Sequence, residues 1–190
     1  MRLTQRAHRA LEQHVSVGDV VVDATVGNGH DTVTLAALVG PSGHVFGFDI
    51  QQQAIDATAR RVATAQFQER VTLLHQSHDT LITTLARAGV SSVKAVVFNL
   101  GYLPGSDKSV TTTTISTQNA LDQSLSLIGE SGLLCIMAYR GHPAGRIEFD
   151  MIEQWTAGLL RTSQWQCERN AANNDGPVLY CVSSGAANLR

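Results

Sequence analysis

A glycine-rich turn between an apolar strand and a helix is the feature that most constrains this chain. The apolar run 20–22 ends at Asp23, and a helical pattern follows the two glycines of the turn 24–29. A second apolar run, 44–48, ends at another acid, Asp49. A strand, a glycine-rich turn, a helix and a second strand with a terminal acid are typical of a nucleotide-binding βαβ unit.

The composition is that of an ordinary globular protein. Hydrophobic residues make up 43% of the 190 positions and charged residues 16%, which suits one domain, spanning 1–190, with a central sheet covered on both faces. The amino-terminal segment lacks the apolar core of a signal peptide, and no apolar run is long enough to cross a membrane. We therefore expect a cytoplasmic protein that makes no membrane contact.

The cysteines and the net charge favour neither a metal site nor a nucleic-acid-binding surface. Cys135, Cys167 and Cys181 are isolated from one another, and this spacing favours buried thiols over a disulfide framework or a zinc site. The net charge of −2 gives no global electrostatic reason to bind nucleic acid, because phosphate binding usually shows as a basic excess or patch. A local arginine patch stays open.

The order of the apolar segments predicts the fold class. After a leading helix, strands and helices alternate, and two strands close the chain with only a polar loop between them. This alternation predicts an α/β protein with a mostly parallel sheet, helices on both faces and one antiparallel edge strand. Strands are predicted at 20–22, 44–48, 71–75, 93–98, 133–139, 163–170 and 178–183.

Polar residues follow the strands where a ligand of such a sheet would bind. Ligands of open parallel sheets lie at the carboxyl ends of the strands, near the point where the strand order reverses. The candidates, in chain order, are Asp23, Gly27, Asn28, Gly29 and Asp31 after the first strand, Asp49 after the second, His78 and Asp79 after the third, and the loop 99–105 after the fourth.

The chemistry of the glycine turn favours S-adenosylmethionine over a dinucleotide. A dinucleotide fingerprint needs a third glycine, and Thr32 stands there instead. Asp31 beside the helix start would oppose a diphosphate and favour a cationic ligand. Asp49 suits a ribose diol in either cofactor, and Asp79 is placed for the adenine amino group. Purely structural roles also stay open, because Asp31 and Asp79 could be helix-terminal acids and the glycines a plain turn.

The loop after the fourth strand is the candidate for chemistry. In amino-methyltransferases an Asn-Pro-Pro-Tyr segment often stands there, whose asparagine accepts hydrogen bonds from an amine while the tyrosine stacks on the substrate. Asn99 and Tyr102 have the same spacing. Methyl transfer mainly requires alignment of the nucleophile, the methyl carbon and the sulfur. The alternative is a turn ended by Pro104.

Two further loop residues are candidates with open alternatives. Lys108 could hold a phosphate, or the polar residues beside it could cap the next helix. His142, between glycine and proline after the fifth strand, is a candidate proton acceptor or substrate contact, against a plain loop histidine.

Five motifs together resemble one family. They are the segments 23–31, 48–51, 77–79, 98–108 and 141–143. They resemble the small class I S-adenosylmethionine-dependent methyltransferases long labelled "putative rRNA methylase", whose members are associated with methylating the aminomethyl group of 5-aminomethyl-2-thiouridine at the tRNA wobble position. Thr25 stands where the wider superfamily has its first glycine, but threonine is normal in this family.

The resemblance implies a Rossmann-like fold with seven strands, S-adenosylmethionine as methyl donor, S-adenosylhomocysteine as product and a tRNA anticodon stem-loop as partner. A homodimer is also possible. By position, the resemblance implies that Asn28, Asp49, Gln51, His78 and Asp79 hold the cofactor; the predicted cofactor-binding set is completed by Asp23, Gly27, Gly29, Asp31 and Asn99. The resemblance also implies that Asn99 and Tyr102 face the substrate amine, and His142 completes the predicted catalytic set from its place after the fifth strand. The predicted substrate-binding residues are Leu100, Gly101, Lys108 and Arg140, with Arg146 as a further RNA contact.

Three other functions compete with this one. An rRNA or small-molecule amine methyltransferase could have the same fold. A nucleotide-binding oxidoreductase is disfavoured by the missing third glycine. A non-catalytic binding module is disfavoured by the intact segment from Asn99 to Tyr102.

Overall fold

The computed structural model describes residues 1–101, 113–140, 143–171 and 176–184. Six α-helices lie within these ranges: α1 Leu3–His14, α2 His30–Val39, α3 Gln52–Thr64, α4 Leu81–Arg87, α5 Thr114–Ile128 and α6 Pro143–Leu159. The strands are β1 Val20–Asp23, β2 His44–Asp49, β3 Val71–His75, β4 Ala95–Leu100, β5 Leu133–Ala138, β6 Trp165–Ala171 and β7 Val178–Ser184. A short 3₁₀ turn, His78–Thr80, precedes α4.

The strands form one sheet in the order β3-β2-β1-β4-β5-β7-β6. Strands β1 to β5 are parallel to one another, and β7 is antiparallel to both β5 and β6. The predicted α/β class, with a mostly parallel sheet and an antiparallel contribution at one edge, is confirmed. The β6–β7 hairpin forms that edge, and β7 lies between β5 and β6. The two strands of the hairpin are antiparallel because a short connection can join only antiparallel neighbours.

Both faces of the sheet are buried, which explains why its strands read as continuous apolar runs. On one face, Val22, Val96 and Phe98 pack in a cluster that includes Leu121 of α5. On the other face, side chains of β1 and β4 pack against α1 and α2, where Leu35 is fully buried. Helices therefore cover both sides, as the alternating pattern predicts.

The strand order reverses between β1 and β4, which are hydrogen-bonded neighbours. Asp23 at the end of β1 pairs in register with Val97 of β4. This is the topological switch point at which ligands of open α/β sheets bind. The residues predicted to bind the cofactor and to act on the substrate therefore come from adjacent strands.

Two element boundaries near this point differ from the sequence prediction. Strand β4 continues through Leu100, two residues beyond the predicted end, because its pairing with β5 extends to Ala138. Helix α2 begins at His30, not at Thr32, so Asp31 lies in its first turn. Asn99 is therefore a strand residue with a fixed backbone instead of a loop residue.

The three cysteines are free thiols. Cys135 is buried, whereas Cys167 and Cys181 are half-buried. The Sγ atoms of Cys135 and Cys181 face each other across β5 and β7 at 4.0 Å.

Across the ranges that the structure describes, none of the helices combines the length and the hydropathy needed to traverse a bilayer.

Candidate functional site

The glycine turn is fixed from its outer side by helix α3. Gly27 and Gly29 have φ angles of 51° and 78°, a left-handed conformation that glycine adopts without steric cost. The Thr58 hydroxyl donates to the Gly27 carbonyl at 3.0 Å, and Arg61 Nε donates to the Asn28 carbonyl at 2.6 Å. These two bonds hold the turn in a fixed conformation at the end of β1.

Substituting alanine for Gly29 is expected to destabilise the protein more than the same change at Gly89. Both glycines have left-handed φ angles, 78° and 75°, but a Cβ at Gly29 would lie 2.9 Å from Thr58 Oγ1, whereas none of the described atoms lies within 4 Å at Gly89. The conformational penalty is about 1–2 kcal/mol at either site. Overpacking adds about 1–3 kcal/mol at Gly29. Urea denaturation of both variants measures the difference in the free energy of unfolding. Equal losses of stability would mean that α3 shifts to accommodate the added methyl group.

Asp23 is completely buried. One carboxylate oxygen accepts from the Thr32 hydroxyl at 2.6 Å, and the other from the Thr25 amide at 3.2 Å. The predicted direct contact between Asp23 and the cofactor is therefore replaced by a bracing role, because its carboxylate faces the turn and the helix start. Thr32, in the place of the third glycine, supplies the hydroxyl that this buried acid needs.

Burial raises the pKa of Asp23 to about 7, and the nearby charge of Asp31 adds to the effect. The folded state then holds a proton that the unfolded chain releases at its ordinary value of 3.8. Stability should therefore fall as the pH rises from the unfolded value of 3.8 to about 7, with a slope of at most about 1.4 kcal/mol per pH unit. Asp23→Asn should remove this slope in urea titrations. The exposed Asp56→Asn is the matched control, and a slope that persists in Asp23→Asn would show that another group causes it.

Thr25 connects the glycine turn to the end of β4. Its hydroxyl oxygen accepts a hydrogen bond of 2.7 Å from the backbone N–H of Asn99. A glycine at this position, as in the wider superfamily, would lack that acceptor. The threonine therefore has a physical role in this chain: it ties the cofactor turn to the predicted catalytic residue.

Asp49 lies at the carboxyl end of β2 and is held by two backbone donors. Its oxygens accept from Gly27 N at 3.1 Å and from Gln51 N at 2.9 Å. A carboxylate has about four acceptor sites, so these two bonds leave capacity for the hydroxyls of a ribose. Asp49 thus bonds directly to the glycine turn and to Gln51, and the cofactor-binding role of both residues stays a prediction.

The end of β3 presents His78 and Asp79 through the 3₁₀ turn. His78 is 6% exposed, its Nδ1 lies 3.2 Å from the Ala24 carbonyl, and its Nε2 has no hydrogen-bond partner among the described residues. Burial lowers the pKa of His78, so the ring is neutral, with Nδ1 as donor and Nε2 as an acceptor. Asp79 is half-buried, and its carbonyl accepts from Gln123 Nε2 at 2.6 Å.

Asn99 is oriented by Asp31. Its Nδ2 donates to Asp31 Oδ2 at 2.7 Å. Burial opposes ionisation of Asp31, but hydrogen bonds from His8 and Asn99 outweigh it and lower the pKa of this carboxyl. Asp31 is therefore a carboxylate with a protein donor on each oxygen, and its preference for a cationic ligand stays a prediction.

Leu100 and Gly101 have different exposures at the end of β4. The Leu100 side chain is 1% exposed, and its carbonyl accepts from Tyr139 N at 3.2 Å. Side-chain contact between Leu100 and a substrate is thus contradicted, because the residue packs in the core. Gly101 is half-buried, and a Cβ built on it would lie 3.5 Å from Tyr139 Cβ.

Arg140 is tied to the β6–β7 connection. Its Nε donates to the Gly176 carbonyl at 2.9 Å, and its guanidinium lies 4.8 Å from the centre of the Phe149 ring. Arg146 is exposed on α6. Tyr102, Lys108 and His142, for which the sequence predicts roles, lie outside the described residues.

Several site residues were missed from the sequence. Thr58 and Arg61, on α3, hold the turn through backbone carbonyls, and His8, on α1, contacts Asp31 at 2.6 Å. Tyr139, which is 40% exposed, stands beside Gly101. A tyrosine directly after an apolar strand is a signal that could have identified Tyr139. The other contacts join distant parts of the chain and leave no local pattern.

Residues 45–183 match the model of a family described as "Putative rRNA methylase". The chain belongs to this rRNA methylase family. A relative named tRNA (mnm(5)s(2)U34)-methyltransferase, chloroplastic, from Arabidopsis thaliana is 36% identical over 174 residues. The match includes 87% of this chain and 62% of that relative, so the chain spans less than two thirds of its length.

Solved structures similar to this rRNA methylase family member have the same fold. A "putative rRNA-methylase" from Clostridium thermocellum is 34% identical, with a TM-score of 0.90 over 97% of this chain and 98% of the other. A "putative methyltransferase" from Streptococcus mutans, solved in complex with S-adenosylhomocysteine, is 28% identical, with a TM-score of 0.83 over 97% and 98%. The predicted class I methyltransferase fold is confirmed.

Proposed function

We propose that this protein is an S-adenosylmethionine-dependent methyltransferase that methylates the aminomethyl group of 5-aminomethyl-2-thiouridine at the tRNA wobble position. The observation that carries the proposal is the orientation of Asn99 at the switch point. Its amide donates to Asp31, which leaves its Oδ1 as an acceptor for an amine beside the cofactor turn. The name of the Arabidopsis relative supports the same substrate.

The donor set of the turn fits S-adenosylmethionine better than a dinucleotide. A dinucleotide fingerprint needs free backbone N–H groups at the helix start to bind a pyrophosphate. Here Gly27 N donates to Asp49, and Gly29 N donates to the Val26 carbonyl at 2.7 Å. Asp31 adds a negative charge to the first turn of α2. Acceptors predominate at this site, as an uncharged ribose and a cationic methionine portion require.

Each cofactor-binding residue has a proposed task. Asp49 binds the ribose hydroxyls, with Gln51 beside it, and Asp79 accepts a hydrogen bond from the adenine amino group. His78 Nε2 is proposed to accept a hydrogen bond from the cofactor. This atom is a buried acceptor without a partner among the described residues. The backbone of the turn 27–29 contacts the methionine portion.

The protein contributes alignment to the reaction. When bound, S-adenosylmethionine supplies an electrophilic methyl group on a sulfonium. Asn99 Oδ1 accepts a hydrogen bond from the substrate amine and directs its lone pair toward that methyl group, since in-line displacement depends on this geometry. The amine must be neutral to attack, so one proton leaves before or during transfer. Tyr102 is proposed to stack on the base, and His142 is proposed to accept this proton.

The wobble nucleotide is a suitable substrate for a small domain. Bases in single-stranded loops are unstacked and can enter a pocket without duplex opening. Arg140, Arg146 and Lys108 are proposed to contact the phosphates of the anticodon stem-loop. A homodimer and a cytoplasmic location also remain predictions.

Nucleoside mass spectrometry on tRNA from a strain without this gene tests the substrate. Accumulated 5-aminomethyl-2-thiouridine, reversed by the wild-type gene and not by an Asn99→Ala copy, supports the proposal. An unchanged tRNA profile together with a lost methyl group in rRNA would instead support the second methyltransferase function.

A thermal-shift assay tests the cofactor independently of the substrate. S-adenosylhomocysteine should raise Tm, because a ligand that binds only the folded state stabilises it. NAD should leave Tm unchanged. A rise with NAD alone would contradict the proposed cofactor.

A further inference from the structure

We propose that His8, on the leading helix α1, is a positioning residue for methyl transfer, which holds Asp31 so that the side-chain amide of Asn99 presents its oxygen to the acceptor amine. This inference rests on the proposed function, and it adds a residue outside the βαβ unit to the reaction.

Three elements meet in one chain of hydrogen bonds. His8 Nε2 on α1 lies 2.6 Å from Asp31 Oδ1, and Asp31 Oδ2 accepts from Asn99 Nδ2 at 2.7 Å. Each oxygen of the carboxylate thus has its own protein donor. Asp31 cannot rotate without losing one of these bonds, so the position of the carboxylate is set by α1 and transmitted to β4.

The chemistry of a carboxylate then dictates which end of Asn99 faces the substrate. An ionised carboxylate only accepts hydrogen bonds, so the amide must turn its NH₂ group toward Asp31. The opposite rotamer would bring two oxygens together. Oδ1 is consequently presented on the other side as an acceptor. The backbone of Asn99 is fixed as well, because its N–H donates to Thr25.

This orientation selects a class of nucleophile. A neutral amine can donate an N–H to Oδ1 and attack with its lone pair. A phenolate or a thiolate has no proton to donate and would be repelled by the amide oxygen. The chain His8–Asp31–Asn99 therefore favours acceptors that keep a hydrogen to donate to Oδ1, such as a neutral amine, over a phenolate or a thiolate.

Helix α1 is anchored firmly enough to serve this purpose. Leu3 and Ala7 pack with Met137 and Leu179, and Leu11 is 1% exposed. A cavity of about 10 Å³ lies beside the chain, with Asp31 and Asn99 among its lining residues. That volume holds about one water molecule.

The charges around the pair favour an ionised His8 and an ionised Asp31 over a wider pH range than either group would have alone. Its hydrogen bond with Asp31 raises the pKa of His8 above 6.5 against the effect of burial, and Glu12 on the same helix acts in the same direction. Asp31 also faces His30, Asp23 and Tyr139. The pair is thus ionised from below pH 3.8 to above pH 6.5, and it loses the imidazolium charge as the pH rises through the pKa of folded His8.

The kinetic test compares His8→Ala, His8→Gln and the control His14→Ala. Among the described residues, His14 of α1 bonds only to the Ala10 carbonyl. His8→Ala should lower kcat about tenfold on tRNA carrying 5-aminomethyl-2-thiouridine, with the Kd of S-adenosylhomocysteine unchanged. His8→Gln, which keeps a donor, should recover most of the rate, and His14→Ala should match the wild type. Unchanged kcat in His8→Ala, or an equal loss in His14→Ala, would overturn the proposal.

The pH profile separates positioning from general destabilisation. The ratio of wild-type to His8→Gln kcat cancels the ionisation of the substrate amine, because both enzymes use the same substrate. This ratio should exceed one below the pKa of folded His8 and fall toward one as the pH rises through that pKa and His8 loses its proton. A ratio independent of pH would contradict the role of the imidazolium. The comparison holds even if His8→Ala fails to fold.

A substrate-free measurement distinguishes this proposal from the proposed function. The side-chain ¹H–¹⁵N signals of Asn99, assigned by their loss in Asn99→Ala, report its bond to Asp31 directly. They should shift in His8→Gln and titrate with His8 in the wild type. Such shifts without any methyl transfer to tRNA would mean that the substrate assignment alone is wrong. Signals insensitive to His8 would refute the positioning role whatever the substrate.

Discussion

Replacing Asn99 with alanine is expected to lower kcat by about 100-fold or more, while the Kd of S-adenosylhomocysteine stays near the wild-type value. Removing one aligned acceptor from a preorganised site typically has an effect of this size. Asn99 contacts Asp31 with its side chain and Thr25 with its backbone, and only the side-chain contact is lost. Single-turnover kinetics and calorimetry on the same preparation measure the two quantities.

The control for this variant is Asn119→Ala, an exposed asparagine on α5, which should leave kcat unchanged. Asn99→Asp is informative too, because it sets two carboxylates against each other and should be at least as inactive as alanine. If Asn99→Ala weakened cofactor binding as much as it slowed turnover, Asn99 would be part of the cofactor pocket, and its proposed contact with the amine would be wrong.

Asp49→Ala is expected to have the opposite effect, raising the Kd of the cofactor by about 10- to 100-fold with a much smaller change in kcat at saturation. Loss of a charge-assisted hydrogen bond costs about 1.5–3 kcal/mol, and each 1.4 kcal/mol is a factor of ten in Kd. The variant also releases Gly27 N and Gln51 N, which loosens the turn itself. Titration calorimetry with S-adenosylhomocysteine measures the change.

Asp49→Asn is an intermediate variant, because an amide keeps the acceptor oxygen of one of the two backbone bonds while it loses the other and the negative charge. The matched control is Asp56→Ala on the exposed face of α3, where the carboxylate accepts a hydrogen bond from Gln52. An unchanged Kd in Asp49→Ala would exclude Asp49 from ribose binding and leave it the structural role of holding the turn.

The sheet could be predicted because strands that are buried on both faces appear in the sequence as continuous apolar runs. Strands β1, β4 and β5 are apolar at almost every position, and glycine turns or polar loops punctuate them. The position of β7 between β5 and β6 could only be inferred in outline, since a hairpin at the end of a chain can pair through either of its strands. The extension of β4 to Leu100 depends on pairing with β5, which no local pattern reveals.

The acids of the site were easier to find than to interpret. Asp49 lies at the end of β2, where the sequence placed it, and it bonds only to nearby backbone donors among the described residues. Asp23 and Asp31 look identical to it as acids after a strand, yet both are engaged within the protein. Their partners Thr32 and His8 are 9 and 23 residues away, and only the packing of α1 and α2 on the sheet brings them together.

The bond between the Thr25 hydroxyl and the Asn99 backbone has a consequence for engineering. It joins two positions 74 residues apart, one in the segment that binds the methyl donor and one in the segment that receives the acceptor. A designer who restored the superfamily glycine at position 25, to adapt the turn to another cofactor, would also release the strand end that aligns the nucleophile. Donor and acceptor specificity in this scaffold are therefore best redesigned together.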